Sequence, residues 1–232
     1  MKKLSLVTHY YNTHDKAQQL LDHLASFPEL DPSQWEIVVV DDCSQTEQAL
    51  NKHGLNVRHL RVIDDIPWNQ AGARNLGAMI ASGTWGLFFD IDQELSEFGL
   101  RYLLGHVENL QHNAMFYMKV EDFVDSTINE KLTIHPNTFL VHMPTFRDKG
   151  MYDEDFAGNY GYEDLYLPYQ WERHGGVRLI LGEESFFTDK KFRTPNLDRN
   201  LEPNKLKSTQ KLMGGLKKPK NMIRFEWTEV SL

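Results

Sequence analysis

Trp35 to Val40 is a nearly unbroken β-branched run that stops at two carboxylates, Asp41-Asp42. A strand apolar at consecutive positions has no face to give to water. It fits a place buried on both sides, as in a parallel sheet. Parallel strands need crossover segments between them, and the neighbouring sequence supplies them. Lys3 to Thr8 is a short β-type run. Asp15 to Phe27 places Ala17, Leu20, Leu21, Leu24 and Phe27 at helical spacing, with capping residues at Asn12 to Asp15. Thr46 to His53 is expected to be a short helix and Val57 to Val62 a third strand. Gln70 to Ser82 is a helix rich in Ala and Leu, ended by Gly83, and Trp85 to Phe89 a fourth strand that stops at Asp90. Right-handed crossovers put the C-terminal ends of such strands on one rim, where ligands of open α/β sheets bind.

The second half predicts a helix over Phe98–Asn109, strands over Ala114–Val120 and Thr138–Met143 with a polar turn around Asp125 to Lys131, and a helix over Glu163–His174. Pro168 must sit near that helix's start or kink it. Val177 to Leu181 reads as the last strand. The 232 residues suit one large domain or a domain with an appendage. Hydrophobic content of 41% and charged content of 25% exclude wholesale disorder. The single cysteine, Cys43, rules out an internal disulfide and points to a reducing compartment. No run of about 18 apolar residues exists to span a membrane, and the N-terminal apolar stretch ends at Thr8-His9, too short for a secretory signal. A cytoplasmic location is expected.

Charge is unevenly placed. Residues 189–224 hold 11 basic and 3 acidic side chains, whereas the first 188 residues carry a balance of -14. The basic stretch is either a solvated tail that packs on the acidic body or a phosphate-facing segment for a nucleotide, a nucleic acid or an anionic lipid surface. Lys205 to Arg224 contains no acid, reads as a short helix (about 205–213) followed by a loop, and is expected to close over an anionic substrate.

Three acidic clusters fall where strands or loops end: Asp41-Asp42, Asp90-Ile91-Asp92 and Glu163-Asp164. A carboxylate pair after an apolar strand is costly to bury unless it meets a cation or donors. Oxygen-only ligands of the Asp90–Asp92 kind suit Mg²⁺ or Mn²⁺; the plainer reading is that Asp92 begins the next helix as its cap. Arg74, early in a helix, is either a diphosphate partner or an ordinary side chain on a core helix.

Together these segments resemble the family-two glycosyltransferases of the GT-A fold. The resemblance rests on Leu6-Val7-Thr8-His9-Tyr10-Tyr11-Asn12, with His9 in place of the usual Pro, and on Glu36 to Ser44, with Cys43 where Gly is usual. It continues through Asn69 to Gly77, Ala81 to Asp92, Lys149 to Phe156 and Gly161 to Leu165, covering roughly residues 4–182. It implies an α/β, Rossmann-like, mainly parallel sheet flanked by helices over 1–182, with a donor-binding half (about 1–95), an acceptor half (about 96–182) and a basic C-terminal extension (183–232).

The resemblance also implies roles. Asp42, with Asp41, would receive the nucleotide base, uracil, and Thr8 and Tyr10 would line the same pocket. Arg74 would meet the diphosphate. Asp90 and Asp92 would hold Mn²⁺ or Mg²⁺, with Asp90 also touching the nucleotide-sugar. Asp164 would be the general base and Glu163 its support, giving an inverting transfer to an acceptor hydroxyl. Many relatives add a His to the metal after the Glu-Asp pair; none follows His174 here, and His135 and His142 are candidate substitutes that are more often structural residues. The default acceptor is a glycan. A hydroxymethylated base in DNA, approached in the groove or by flipping, is an alternative that the basic segment favours and the acidic body opposes. A nucleotidyltransferase lacks its Gly-rich loop here, a non-catalytic nucleotide-sugar binding module remains the other class, and peripheral membrane contact stays open.

Overall fold

A computed structural model describes residues 2–27, 30–121, 132–182, 184–191, 197–214 and 222–230. The first strands and helices are β1 (Leu4–Tyr10), α1 (His14–Ala25), β2 (Trp35–Asp41), β3 (Val57–Val62), α2 (Gln70–Ile80) and β4 (Trp85–Phe88). Then come β5 (Gln93–Leu95), α3 (Glu97–His106), β6 (Ala114–Glu121), β7 (Leu132–His142), α4 (Met143–Lys149) and α5 (Glu163–Arg173). The chain ends with β8 (Val177–Ile180), β9 (Phe187–Asp189), α6 (Glu202–Met213) and β10 (Trp227–Glu229).

Among the described residues all ten strands join one sheet, in the order β10-β3-β2-β1-β4-β7-β6-β9-β5 with β8 on β6. β3, β2, β1 and β4 run parallel, and β7 turns antiparallel against β4 and β6. The architecture is therefore α/β with a mainly parallel centre. The run that opened the argument behaves as its composition requires. Ile37 and Val39 pack in one core and Val38 and Val40 in the other, so successive side chains fill opposite faces. Glu36, near the start of β2, is buried and accepts from Ser5 Oγ and Ser82 N, both at 2.6 Å, and from Ser82 Oγ at 2.9 Å. α2 lies so close to the sheet that a Cβ on Gly77 would stand 2.5 Å from Val7 Cγ1, a gap only glycine allows.

Three expectations need correction. Residues 46–53 form no helix. Their backbone is held by a side chain of α1 instead: Gln18 Oε1 accepts from Asn51 N at 2.8 Å and Gln18 Nε2 donates to Asn51 O at 3.1 Å. Such local side-chain partners compete with helical bonds. Asp92 does not cap α3; Ser96 does, accepting from Gly99 N at 3.0 Å. The residues after 182 are no appendage, because β9 pairs with β5 and β6 and β10 pairs with β3. The expected helix at 205–213 is present as α6, while the polar turn at 125–131 lies outside the described residues.

Candidate active site

The rim formed by the ends of β1, β2 and β4 opens into a cleft of about 1090 Å³. Tyr10, Asp42, Asp90, Asp92, Glu163 and Asp164 all line it. Asp42 is buried at the end of β2, where Asn69 Nδ2 donates to its Oδ1 at 2.9 Å. Burial pushes its carboxyl up to about 7 against that hydrogen bond, with Asp41 and Asp65 adding to the rise. Tyr10 brings its hydroxyl to 3.0 Å from His59 Nε2, and burial first, then Asp41, raises its phenol.

Two residues of the expected nucleotide pocket sit elsewhere. Asp41 is turned inward: it pairs with Arg61 and accepts from Ser44 N at 2.8 Å, tying the β2 end to its own turn. Thr8 is fully buried and does not line the cleft. Arg74 is also fully buried. Its guanidinium pairs with Asp90 Oδ1 and donates to Asn137 O and Tyr152 Oη, both at 3.0 Å. It fixes a rim carboxylate rather than presenting a charge to the cleft.

Asp90 is held from its other side by Asn137 Nδ2, which donates to Oδ2 at 3.2 Å, with His135 Nε2 at 3.7 Å. Burial alone would raise Asp90, but Arg74, then His135 and His9, outweigh it and hold the carboxyl below the usual range. Asp92 has the opposite balance: burial, then Asp90 and Asp189, push it up to about 7. No ion pair to Asp92 occurs among the described residues, so it is an acid whose charge lacks a counter-charge. Asp189 lines the same cleft. This oxygen donor set fits a hard divalent cation, which would relieve that repulsion, although no group of three or more metal-ligating side chains is assembled among the described residues. His142 stacks on His112 at 3.9 Å, beside Trp85 at the far end of β4, and is no part of the cleft.

Glu163 and Asp164 open α5 behind two left-handed residues, Gly161 (φ 78°) and Tyr162 (φ 73°). A left-handed tyrosine is sterically costly, and it sets the angle at which the acidic pair enters the cleft. Asp164 is the more accessible of the two. Glu163 is buried with Oε2 unpartnered. Burial, then Asp164, raises Glu163 to about 8; burial, then Asp90, raises Asp164 against the bond from Leu165 N.

The sequence missed several parts of the cleft. Trp68 has a left-handed backbone (φ 51°), its ring lies 4.5 Å from Tyr160, and Arg199 stands 5.7 Å over it. Leu197 to Leu201 complete that wall. Lys191 of the basic segment also lines the cleft, whereas Lys207 donates to Asp155 O, Lys211 pairs with Asp153 (2.8 Å) and Asp155 (2.6 Å), and Arg224 pairs with Asp155 (2.6 Å). Lys217, Lys218 and Lys220 lie outside the described residues.

The sequence matches the family described as Glycosyl transferase family 2 over residues 5–166. The chain belongs to glycosyl transferase family 2. This family-2 chain is 30% identical over 120 residues to a protein described as "Putative colanic acid biosynthesis glycosyl transferase WcaA" from Escherichia coli K12, covering 50% of this chain and 43% of that one. Among solved structures it is similar to S. aureus TarS 1–349 (19% identity, TM-score 0.64, covering 81% of this chain and 60% of that one). It is likewise similar to the same protein in complex with UDP-GlcNAc (20% identity, TM-score 0.64, covering 83% and 59%). The family-2 chain thus spans less than half the length of the curated relative and about three fifths of the solved one, and the solved structures bear on the fold. No helix among its described residues is long and apolar enough to cross a membrane.

Proposed function

We propose that this chain transfers a sugar from a nucleoside diphosphate donor, a UDP-sugar, to an acceptor hydroxyl with inversion. The observation that carries the proposal is the convergence of Asp42, Asp90, Asp92 and Asp164 in one cleft on the sheet rim. Asp42, oriented by Asn69, receives the uracil N–H. Asp92 with Asp90 would hold Mn²⁺ or Mg²⁺, which when bound neutralises charge on the leaving diphosphate.

Asp164 accepts the proton of the acceptor hydroxyl as its oxygen bonds to the anomeric carbon. The anomeric C–O bond breaks on the opposite face, and its electron pair leaves with the diphosphate. A carboxyl held above its usual range is a stronger base, and a positioned base contributes about 10²–10⁴-fold. Lys207, Lys211 and Arg224 turn to Asp153 and Asp155 rather than outward, which favours a glycan hydroxyl over DNA as the acceptor.

The test is UDP release from a panel of UDP-sugars with Mn²⁺ and candidate glycans, alongside calorimetric UDP binding. Asp164→Asn is expected to cut turnover at least about 100-fold while UDP affinity stays within a factor of two. A wild-type protein that binds no UDP would overturn the reading; lost UDP binding in Asp164→Asn with normal turnover at saturation would overturn the base.

A further inference from the structure

The buried placement of Arg74 leaves the donor diphosphate, under the function proposed above, without the cationic partner that the motif suggested. The end of β9 supplies another. Among the described residues, Lys191 and Arg199 are the only lysine or arginine on the wall of the cleft, which is otherwise rich in carboxylates. Arg199 stands over the ring of Trp68, whose neighbour Asn69 holds Asp42. Lys191 is tied instead to the Asp92 end of the cleft.

The tie is made by backbone. β9 runs antiparallel to β5 with Asp189 facing Gln93, and just beyond that pair Lys190 N donates to Asp92 O at 2.9 Å. Lys190 sends its own ammonium to Glu94, at 3.0 Å. At Lys191 the chain leaves the strand: its backbone is left-handed (φ 53°) and its amide donates to Asp189 Oδ1 at 2.7 Å. That conformation is uncommon outside glycine, and here it goes with a lysine that is exposed and lines the cleft. The Lys191 ammonium forms no salt bridge among the described residues, although Asp92 and Asp189 are close in the fold. Lysine carries a compact charge on a flexible four-carbon stem, a form of donor that suits phosphate oxygens as a point charge. A diphosphate brought to the Asp90–Asp92 carboxylates arrives beside this side chain, and in a wall so rich in acids it needs positive charge to be held.

From this we infer that the Lys191 ammonium is the cationic side chain that pairs with the donor diphosphate. The inference rests on the nucleotide-sugar reading of the cleft. The electron pair of the anomeric C–O bond leaves with the diphosphate, so the contact strengthens as that bond breaks. Lys191 touches the leaving group, and Asp90 and Asp92 remain the carboxylates for the metal.

The experiment is calorimetric binding of UDP and of uridine to the full chain with Mn²⁺ present, at low and high KCl. It uses the wild type, Lys191→Met, which keeps the length of the stem and drops the charge, and Lys191→Arg, which keeps the charge. Lys191→Met is expected to lose about 5–10-fold in UDP affinity, the size of one charge-assisted contact that stays partly in water, with uridine affinity unchanged. Lys191→Arg is expected to recover most of the loss. Raising KCl from about 50 to 500 mM should weaken UDP binding more in the wild type than in Lys191→Met, because the lost contact is the screened one. Equal losses for UDP and uridine would show a residue that only shapes the wall and overturn the inference. So would unchanged UDP affinity in Lys191→Met, or a loss that Lys191→Arg does not repair. Wild-type protein that binds neither UDP nor uridine would remove the nucleotide-sugar reading itself and the inference with it, a pattern distinct from all of these.

Discussion

At the scale of single residues, the site is a set of carboxylates with unequal surroundings. Asp42 holds its proton to about 7 against an ordinary 3.8. The folded protein thus binds a proton that the unfolded chain has released. Stability from this group is present below pH 3.8 and is lost as pH rises to about 7. Asp42→Asn keeps an acceptor for Asn69 and removes the charge. Relative to wild type it should gain on the order of 1–3 kcal/mol between pH 4 and pH 8. Melting curves at both pH values check this, and a variant offset that does not change with pH would contradict it. Arg74 has the opposite character. Arg74→Met leaves the buried Asp90 without its cation and should cost about 3–5 kcal/mol in denaturant unfolding, with Arg74→Lys costing less. The sequence put Asp42, Asp90, Asp92 and Asp164 at the ends of strands and loops, and the structure brings all four to one cleft. It could not show that Arg74 and Asp41 face inward, since their partners Asn137, Tyr152 and Arg61 are far away in the chain.

Secondary-structure elements were readable wherever their own side chains fix their surroundings. β2 and β3 match the expected ranges closely because both faces are apolar or half-apolar along their length. β5, β9 and β10 have three residues each, too few for any period, and exist because a distant strand offers backbone partners. α6 was legible as a helix but not in its docking. Asn204, fully buried on that helix, shares its amide among the carbonyls of Phe156, Asn159 and Gly161 at 2.7–2.9 Å. These carbonyls belong to the loop that delivers Glu163 and Asp164. Asn204→Ala should therefore cost about 1–3 kcal/mol and, in hydrogen exchange, speed the amides of residues 156–164 more than those of the central strands. Equal acceleration across the sheet would place the effect elsewhere.

Across the whole molecule, the acidic body and basic segment are joined by Asp153 and Asp155 on one side and by β10 on the other. Deleting residues from 222 onward should uncover the outer edge of β3, where Val57, Leu60 and Val62 are now buried. The expected result is a lower melting temperature and loss of monomer in size-exclusion chromatography; an unchanged monomer peak would show that β10 is dispensable. The same pairing has a consequence during synthesis. Arg58 of β3 and Glu229 of β10 are bonded across a separation of 171 residues. At about 5–20 residues per second, the ribosome needs roughly 10–35 s to deliver the second after the first. For that interval the nascent sheet has an open edge, and a chaperone that shields emerging chains has its period of greatest use there.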